Sequence, residues 1–320
     1  MAVKKKSTVG YWLRLIGVFV LALYITLILT LPVYFMIGSI RPAHSQVCCE
    51  TPADRGLQYQ DMSFMTADGI TLRGWYIPSK NGAVVIALHG YGLNRLTVLD
   101  QAGLLAKHGY GVLLYDERAS GESDGESRSW GWRDVPDVSA AVRFLKAVPG
   151  LDPQLIGIYG CSTGAEISLA ATALDSSIRA VAAEDAEYAT VRDLLFPPTF
   201  TDLVFWPVNP LFVKFMEWRS GTSAPIALSD AVKQISPRSL FLISSGKSYD
   251  AWQAQYYFNL AQEPRSLWNV PESAHCQSLM TRPDEYEMRL IRFFDTALLN
   301  RESNGDAFQP VSKAGDFIWP

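Results

Sequence analysis

The chain has 320 residues, 48% hydrophobic and 19% charged, enough apolar material for one large core of about 250 residues. A net charge of -4 without any Lys/Arg-rich stripe in the central region argues against nucleic acid as a partner. The four cysteines make no disulfide framework: Cys48 and Cys49 are adjacent, Cys161 lies inside a Gly-x-Ser-x-Gly turn and Cys276 follows a histidine, so bridges are allowed but not implied.

Residues 15–37 carry no charge, and at 1.5 Å per residue they give about 35 Å of helix, enough to cross a hydrocarbon core of about 30 Å with some tilt. A cleaved signal peptide would have a shorter apolar run and a small-residue cleavage site, which Ile40-Arg41-Pro42 does not supply. A signal anchor is expected instead. Lys4, Lys5, Lys6 and Arg14 outweigh Arg41 and Arg55, which places residues 1–14 in the cytoplasm and the large domain outside it, on a single-pass protein of the cell membrane. Tyr11, Trp12 and Tyr34 suit the two interfaces. Residues 38–57, with Pro42, Pro52 and Gly56, read as a tether; for Cys48 and Cys49 the readings are acylation if they face the cytosol, pairing between chains outside it, or a plain structural or linker role, the last preferred.

Two strands follow, 58–66 and 71–77, joined at Ala67-Asp68-Gly69 by a hairpin turn. Strands are then expected at 83–88, 111–115, 155–159, 179–183, 239–244 and 266–270, and helices at 95–108, 136–148, 165–174, 251–261 and 284–299. Strands that are apolar throughout and alternate with helices predict an α/β fold, a mostly parallel sheet covered on both faces with the hairpin as its antiparallel edge, over residues 58–299. Residues 192–236 interrupt the rhythm and are rich in aromatics and proline. They read as a small lid, with Phe200, Phe205, Trp206 and Phe212 as an apolar acyl-binding wall, a membrane-touching surface, or simply the packing of the lid on the domain. Residues 300–320 read as a flexible tail.

The chemistry centres on Gly160-Cys161-Ser162-Thr163-Gly164, where an apolar strand turns into a small-residue helix. This is the sequence of a nucleophile elbow, which presents a serine hydroxyl from a sharp, strained turn. An attacking serine needs a base, and the chain has only His44, His89, His108 and His275. His44 lies in the tether, His108 ends a helix and His89 precedes the elbow, whereas His275 follows the last strand, as the order serine, acid, histidine requires. The acid is open between Asp250, which also suits a helix cap, and Glu184 or Asp185. Backbone N–H groups of Tyr91, in Leu88-His89-Gly90-Tyr91-Gly92, and of Thr163 are placed to hold an oxyanion. No metal-ligand cluster or nucleotide loop is present, so no cofactor is expected.

Taken together, His89-Gly90 after the third strand, Asp116-Glu117-Arg118-Ala119-Ser120-Gly121-Glu122-Ser123 after the fourth, the Ser162 elbow and the terminal His275 resemble the α/β-hydrolase superfamily. The likeness is to the broad bacterial set of serine hydrolases that includes esterases, lipases and serine aminopeptidases. It implies an α/β-hydrolase fold and a Ser-His-Asp triad acting on a small-molecule or lipid acyl substrate. An ester is the preferred substrate because the lid offers no carboxylate cluster to grip a peptide amine. The alternatives are a peptidase or amidase, or a non-catalytic binding module on the same scaffold. Two positions depart from the superfamily pattern. Ala119 stands where a glycine is usual, at an expected small cost, and Asp250 falls one residue beyond the usual acid position, which here is Tyr249.

Overall fold

The computed structural model describes residues 8–41, 43–196, 200–246 and 248–300. The basic residues Lys4, Lys5 and Lys6 and the tail at 301–320 lie outside them.

Helix α1 (Thr8–Ile40) opens the chain and contains an apolar window, Val9–Tyr34, of mean hydropathy 2.5. The segment after it is docked on the domain, contrary to the tether expected. The His44 ring bonds the carbonyls of Gly121 at 3.1 Å and Gly125 at 3.3 Å, and Asn94 donates to the Gln46 carbonyl at 3.1 Å.

The remaining elements are β1 (Gln60–Met65), β2 (Thr71–Ile77), β3 (Val84–Leu88), α2 (Leu99–Lys107), β4 (Gly111–Tyr115), α3 (Asp134–Lys146), β5 (Ile156–Cys161), α4 (Thr163–Leu174), β6 (Ile178–Glu184), α5 (Phe200–Phe205), α6 (Val208–Ser220), α7 (Leu228–Ile235), β7 (Ser239–Ser245), α8 (Ser248–Leu260), β8 (Arg265–Val270), α9 (Ser278–Thr281) and α10 (Pro283–Leu299). The strands form one eight-stranded sheet in the order β1-β2-β4-β3-β5-β6-β7-β8. The two junctions made by β2, with β1 and with β4, are antiparallel; from β4 to β8 every neighbour is parallel.

Strand period and helix placement explain why β3, β4 and β5 are buried along their whole length. Val84, Ile86 and Leu88 point to one face, with the apolar sides of α3, α4 and α7; Val85 and Ala87 point to the other, with α2 and α10. Each fully buried Leu, Ile or Val contributes about 1.5–3 kcal/mol, so a sheet covered on both sides is stable only with apolar residues on both. Helix α7 belongs to this core, although it falls within the segment expected to be the lid. Leu228, Val232 and Ile235 recur at helical spacing and pack into the cluster that holds α4. The lid is therefore confined to α5, α6 and their flanks. Phe212, Val213 and Met216 of α6 pack with Trp132, Tyr188 and Ile40 in a small separate cluster.

Candidate active site

Strand order reverses between β3 and β5, which opens a crevice at the carboxyl ends of these strands, where open α/β sheets bind ligands. The turn after β3 and the turn after β5 face each other across it. A methyl built on Gly90 would lie 3.3 Å from Ser162 Cβ.

Ser162 has φ 55° and ψ −125°, a region costly for a residue with a side chain. Flanking glycines make the turn possible. A side chain at Gly160 would meet the Gly164 carbonyl oxygen at 2.1 Å, and one at Gly164 would meet the Leu88 and His89 carbonyl oxygens at 2.6 Å. The Ser162 N–H donates to the Glu184 carbonyl at 2.9 Å, which fastens the elbow to β6. Thr163 is the first residue of α4, so its N–H is among those a helix leaves without an intrahelical partner.

On the loop after β8, His275 Nδ1 lies 3.2 Å from Asp250 Oδ2 and 3.7 Å from Asp185 Oδ2, leaving Nε2 turned to the opposite side of the ring. The hydrogen bond to Asp250 holds the imidazole above its ordinary pKa, against the opposing effect of burial. Asp250 stands in the first turn of α8, and its carboxylate also accepts from Ser245 Oγ at 2.8 Å. Asp185 does different work. Its two oxygens accept the Ser245 N–H at 2.6 Å and the Cys276 N–H at 2.7 Å, so it clamps the ends of two loops, and burial pushes its pKa up to about 6. Glu184 faces away from the imidazole: Tyr159 and Tyr286 donate their hydroxyls to it, each at 2.8 Å, and the Ser278 N–H donates at 3.1 Å. The polar atoms of Asp185, Asp250 and His275 lie within 4.8 Å of one another, a spacing that would also suit a cation. Backbone and hydroxyl donors already occupy both carboxylates, so the set is built to hold hydrogen bonds.

The other histidines sit elsewhere. His89 is fully buried; the Glu117 N–H donates to its Nε2 at 3.0 Å, so Nδ1 carries the proton and donates to the Gly90 carbonyl at 2.8 Å. Desolvation lowers its pKa to about 4, which leaves it neutral and structural. His108 pairs with Glu287 at 2.7 Å on the surface. In the stretch after β4, Asp116 accepts from the Arg95 backbone and guanidinium and from the Glu122 N–H, while Arg118 pairs with Asp137. Ala119 has φ 55°, a left-handed conformation in which a side chain costs about 1–2 kcal/mol, so replacing the usual glycine is not the near-neutral change expected.

Sequence reasoning missed a covalent link. Cys161 and Cys276 are bridged, with Cα atoms 6.0 Å apart. One precedes Ser162 and the other follows His275, so any fold that joins the serine to the histidine also brings these neighbours together. That was the available signal. Cys48 and Cys49 are bridged to each other.

The lid residues divide. Phe200 is 80% exposed and so forms no wall around the site; α6 packs along α1, and α5 is tied to α1 where Tyr24 Oη donates to the Val204 carbonyl at 2.9 Å. Trp206 donates its indole N–H to the Leu195 carbonyl at 2.8 Å. Phe212 packs on Trp130 with ring centroids 4.9 Å apart, and Trp130 packs on Tyr91 at 5.0 Å. The side chain of Phe205 lies outside the described residues.

The family model for X-Pro dipeptidyl-peptidase (S15 family) matches residues 47–198. Thiohydrolase aneE of Aspergillus aculeatus is 32% identical over 151 residues, 46% of this chain and 48% of that protein. Polyketide transferase ATR5 of Stachybotrys chlorohalonatus is 41% identical over 143 residues, 43% of this chain and 47% of that protein. The chain spans about half the length of these curated relatives. The esterase Pf2001 of Pyrococcus furiosus superposes with a TM-score of 0.66 at 25% identity, covering 81% of this chain and 98% of that one. Sheet order, family match and superposition agree on one assignment: this chain belongs to the α/β-hydrolase superfamily.

Proposed function

We propose that the chain is a membrane-anchored serine hydrolase that cleaves a carboxylic ester through an acyl-enzyme. The observation that carries this reading is the placement of Ser162 at a positive φ on the β5–α4 turn, with an imidazole on a neighbouring loop whose Nδ1 is fixed by a buried carboxylate. In the first step Ser162 Oγ attacks the ester carbonyl and His275 Nε2 takes its proton. Asp250 accepts the Nδ1–H bond, sets the tautomer and stabilises the imidazolium. Negative charge on the carbonyl oxygen falls to the N–H groups of Tyr91 and Thr163, each worth about 3 kcal/mol in the transition state. His275 then protonates the leaving alkoxide, and water, deprotonated by the same nitrogen, releases the acid and restores Ser162. The helix α1 serves as the anchor, with the N-terminus in the cytoplasm and the catalytic domain on the far side of the membrane.

The esterase neighbour supports an oxygen ester, and the thiohydrolase relative extends the same acyl chemistry to a thioester. The family match at residues 47–198 favours a second reading, a peptidase or amidase. A fluorophosphonate probe tests the shared nucleophile, with labelling expected on the native chain and not on Ser162→Ala. Short and long p-nitrophenyl esters set against aminoacyl amides then separate the two readings. Turnover of amides alone would replace the esterase by the peptidase, and a chain that neither labels nor turns over would be a binding module.

A further inference from the structure

The lid lies against the anchor helix, at a depth that places it inside the membrane. Tyr24 precedes Tyr34, where the apolar window ends, by about 15 Å of helix axis. Val204, whose carbonyl Tyr24 bonds, is therefore well below the surface of a hydrocarbon core of about 30 Å. The composition of the lid follows the same gradient. Residues 200–213 include one ionisable residue, Asp202, whereas Lys214, Glu217 and Arg219 crowd the last two turns of α6. The outer side is apolar. Phe196, Phe200, Leu203 and Leu211 are all exposed, and Trp218, 73% exposed, stands beside Arg219 as interfacial tryptophans do. A patch of this kind, continuous with the bare apolar faces of α1, is the surface of a protein that meets lipid. The inner side of the same helix reaches the site through the ring contacts of Phe212, Trp130 and Tyr91.

We propose that α5 and α6 are embedded in the leaflet next to the catalytic domain, and that the substrate is the acyl ester of a bilayer lipid, drawn from that leaflet along the lid. This rests on the anchored-hydrolase reading above. The test uses the full chain in phosphatidylcholine nanodiscs, with a nitroxide on Leu203→Cys, Leu211→Cys or Arg219→Cys. Collision with oxygen is expected to exceed collision with a water-soluble nickel chelate at 203 and 211, and the order is expected to reverse at 219. Nickel dominance at 203 and 211 overturns the proposal, as does shielding from both reagents, which would mean that a second copy of the chain covers the patch. In parallel, the Leu203→Ser/Leu211→Ser variant is expected to lose about tenfold in hydrolysis of a vesicle-embedded fluorogenic ester and nothing on a soluble acetate. An equal loss on both esters overturns the lipid route. A native chain inert to both, with labels in the lipid, sinks the esterase reading and leaves the docking surface in place.

Discussion

The carboxyl ends of β5 to β8 and the lid follow opposite rules. At the strand ends, the elbow, the imidazole and the two carboxylates are buried or half-buried and tied by a bridge and by short hydrogen bonds between loops. The lid is made of short helices on which Phe200, Leu203, Leu211 and Trp218 stand exposed, while Phe212 and Met216 of α6 pack into a small aromatic cluster that also takes in Ile40 of α1. The difference teaches where precision is needed. Chemistry at a carbonyl fails if reacting groups shift by an ångström, whereas a surface that meets a fluid needs only area and the right polarity.

That contrast can be broken at its rigid end. Ser162→Ala is expected to lower kcat by about 10⁴-fold or more, measured on a soluble ester, with little change in stability. Asp250→Asn should come close to it, and Asp185→Asn should cost much less in kcat and more in stability, which thermal melts beside the kinetics would separate. The pH profile sharpens the assignment. In the proposed mechanism His275 acts only when neutral, and the hydrogen bond to Asp250 holds its pKa above the ordinary value, so activity is expected to fall as pH drops through that raised pKa. Removing the carboxylate lowers the pKa, and the acidic limb of Asp250→Asn should move to lower pH; an unmoved limb would assign the carboxylate role elsewhere.

Two stability effects follow. Replacing Cys161 and Cys276 by alanine opens a loop closed over a sequence separation of 115, and should cost about 2–5 kcal/mol by denaturant titration of the oxidised and substituted chains. The smallest effect is a gain. Ala119→Gly relieves a left-handed alanine and should add about 1 kcal/mol, raising the melting temperature by about 2–4 °C, and no gain would mean that the unfolded state absorbs it.

What could be read ahead of the structure was local. Val84–Leu88 and Gly111–Tyr115 announce themselves because a strand buried on both faces has no polar position to hide, and the elbow because a side chain at Gly160 or Gly164 would meet backbone oxygens at 2.1 Å or 2.6 Å, so that glycine must stand at both. What could not be read depends on residues distant in sequence. Asp185 and Asp250 offer the same chemistry, and only the loop after β8 decides that one takes the imidazole and the other the Cys276 N–H. Ala119 looked harmless because a backbone angle leaves no mark in the sequence. Helix α7 is a different case. Its Leu228, Val232 and Ile235 repeat at helical spacing, but the aromatics of the preceding segment dominate the composition around them.

The Cys161–Cys276 bridge closes a ring of chain that takes in α4, β6, the whole lid, α7, β7, α8 and β8. A protease that nicked the exposed lid would therefore not separate Ser162 from His275. The two fragments would migrate as one species on a non-reducing gel and part only on reduction. Where the bridge forms, a cut in the lid leaves Ser162 and His275 covalently joined through their neighbours Cys161 and Cys276.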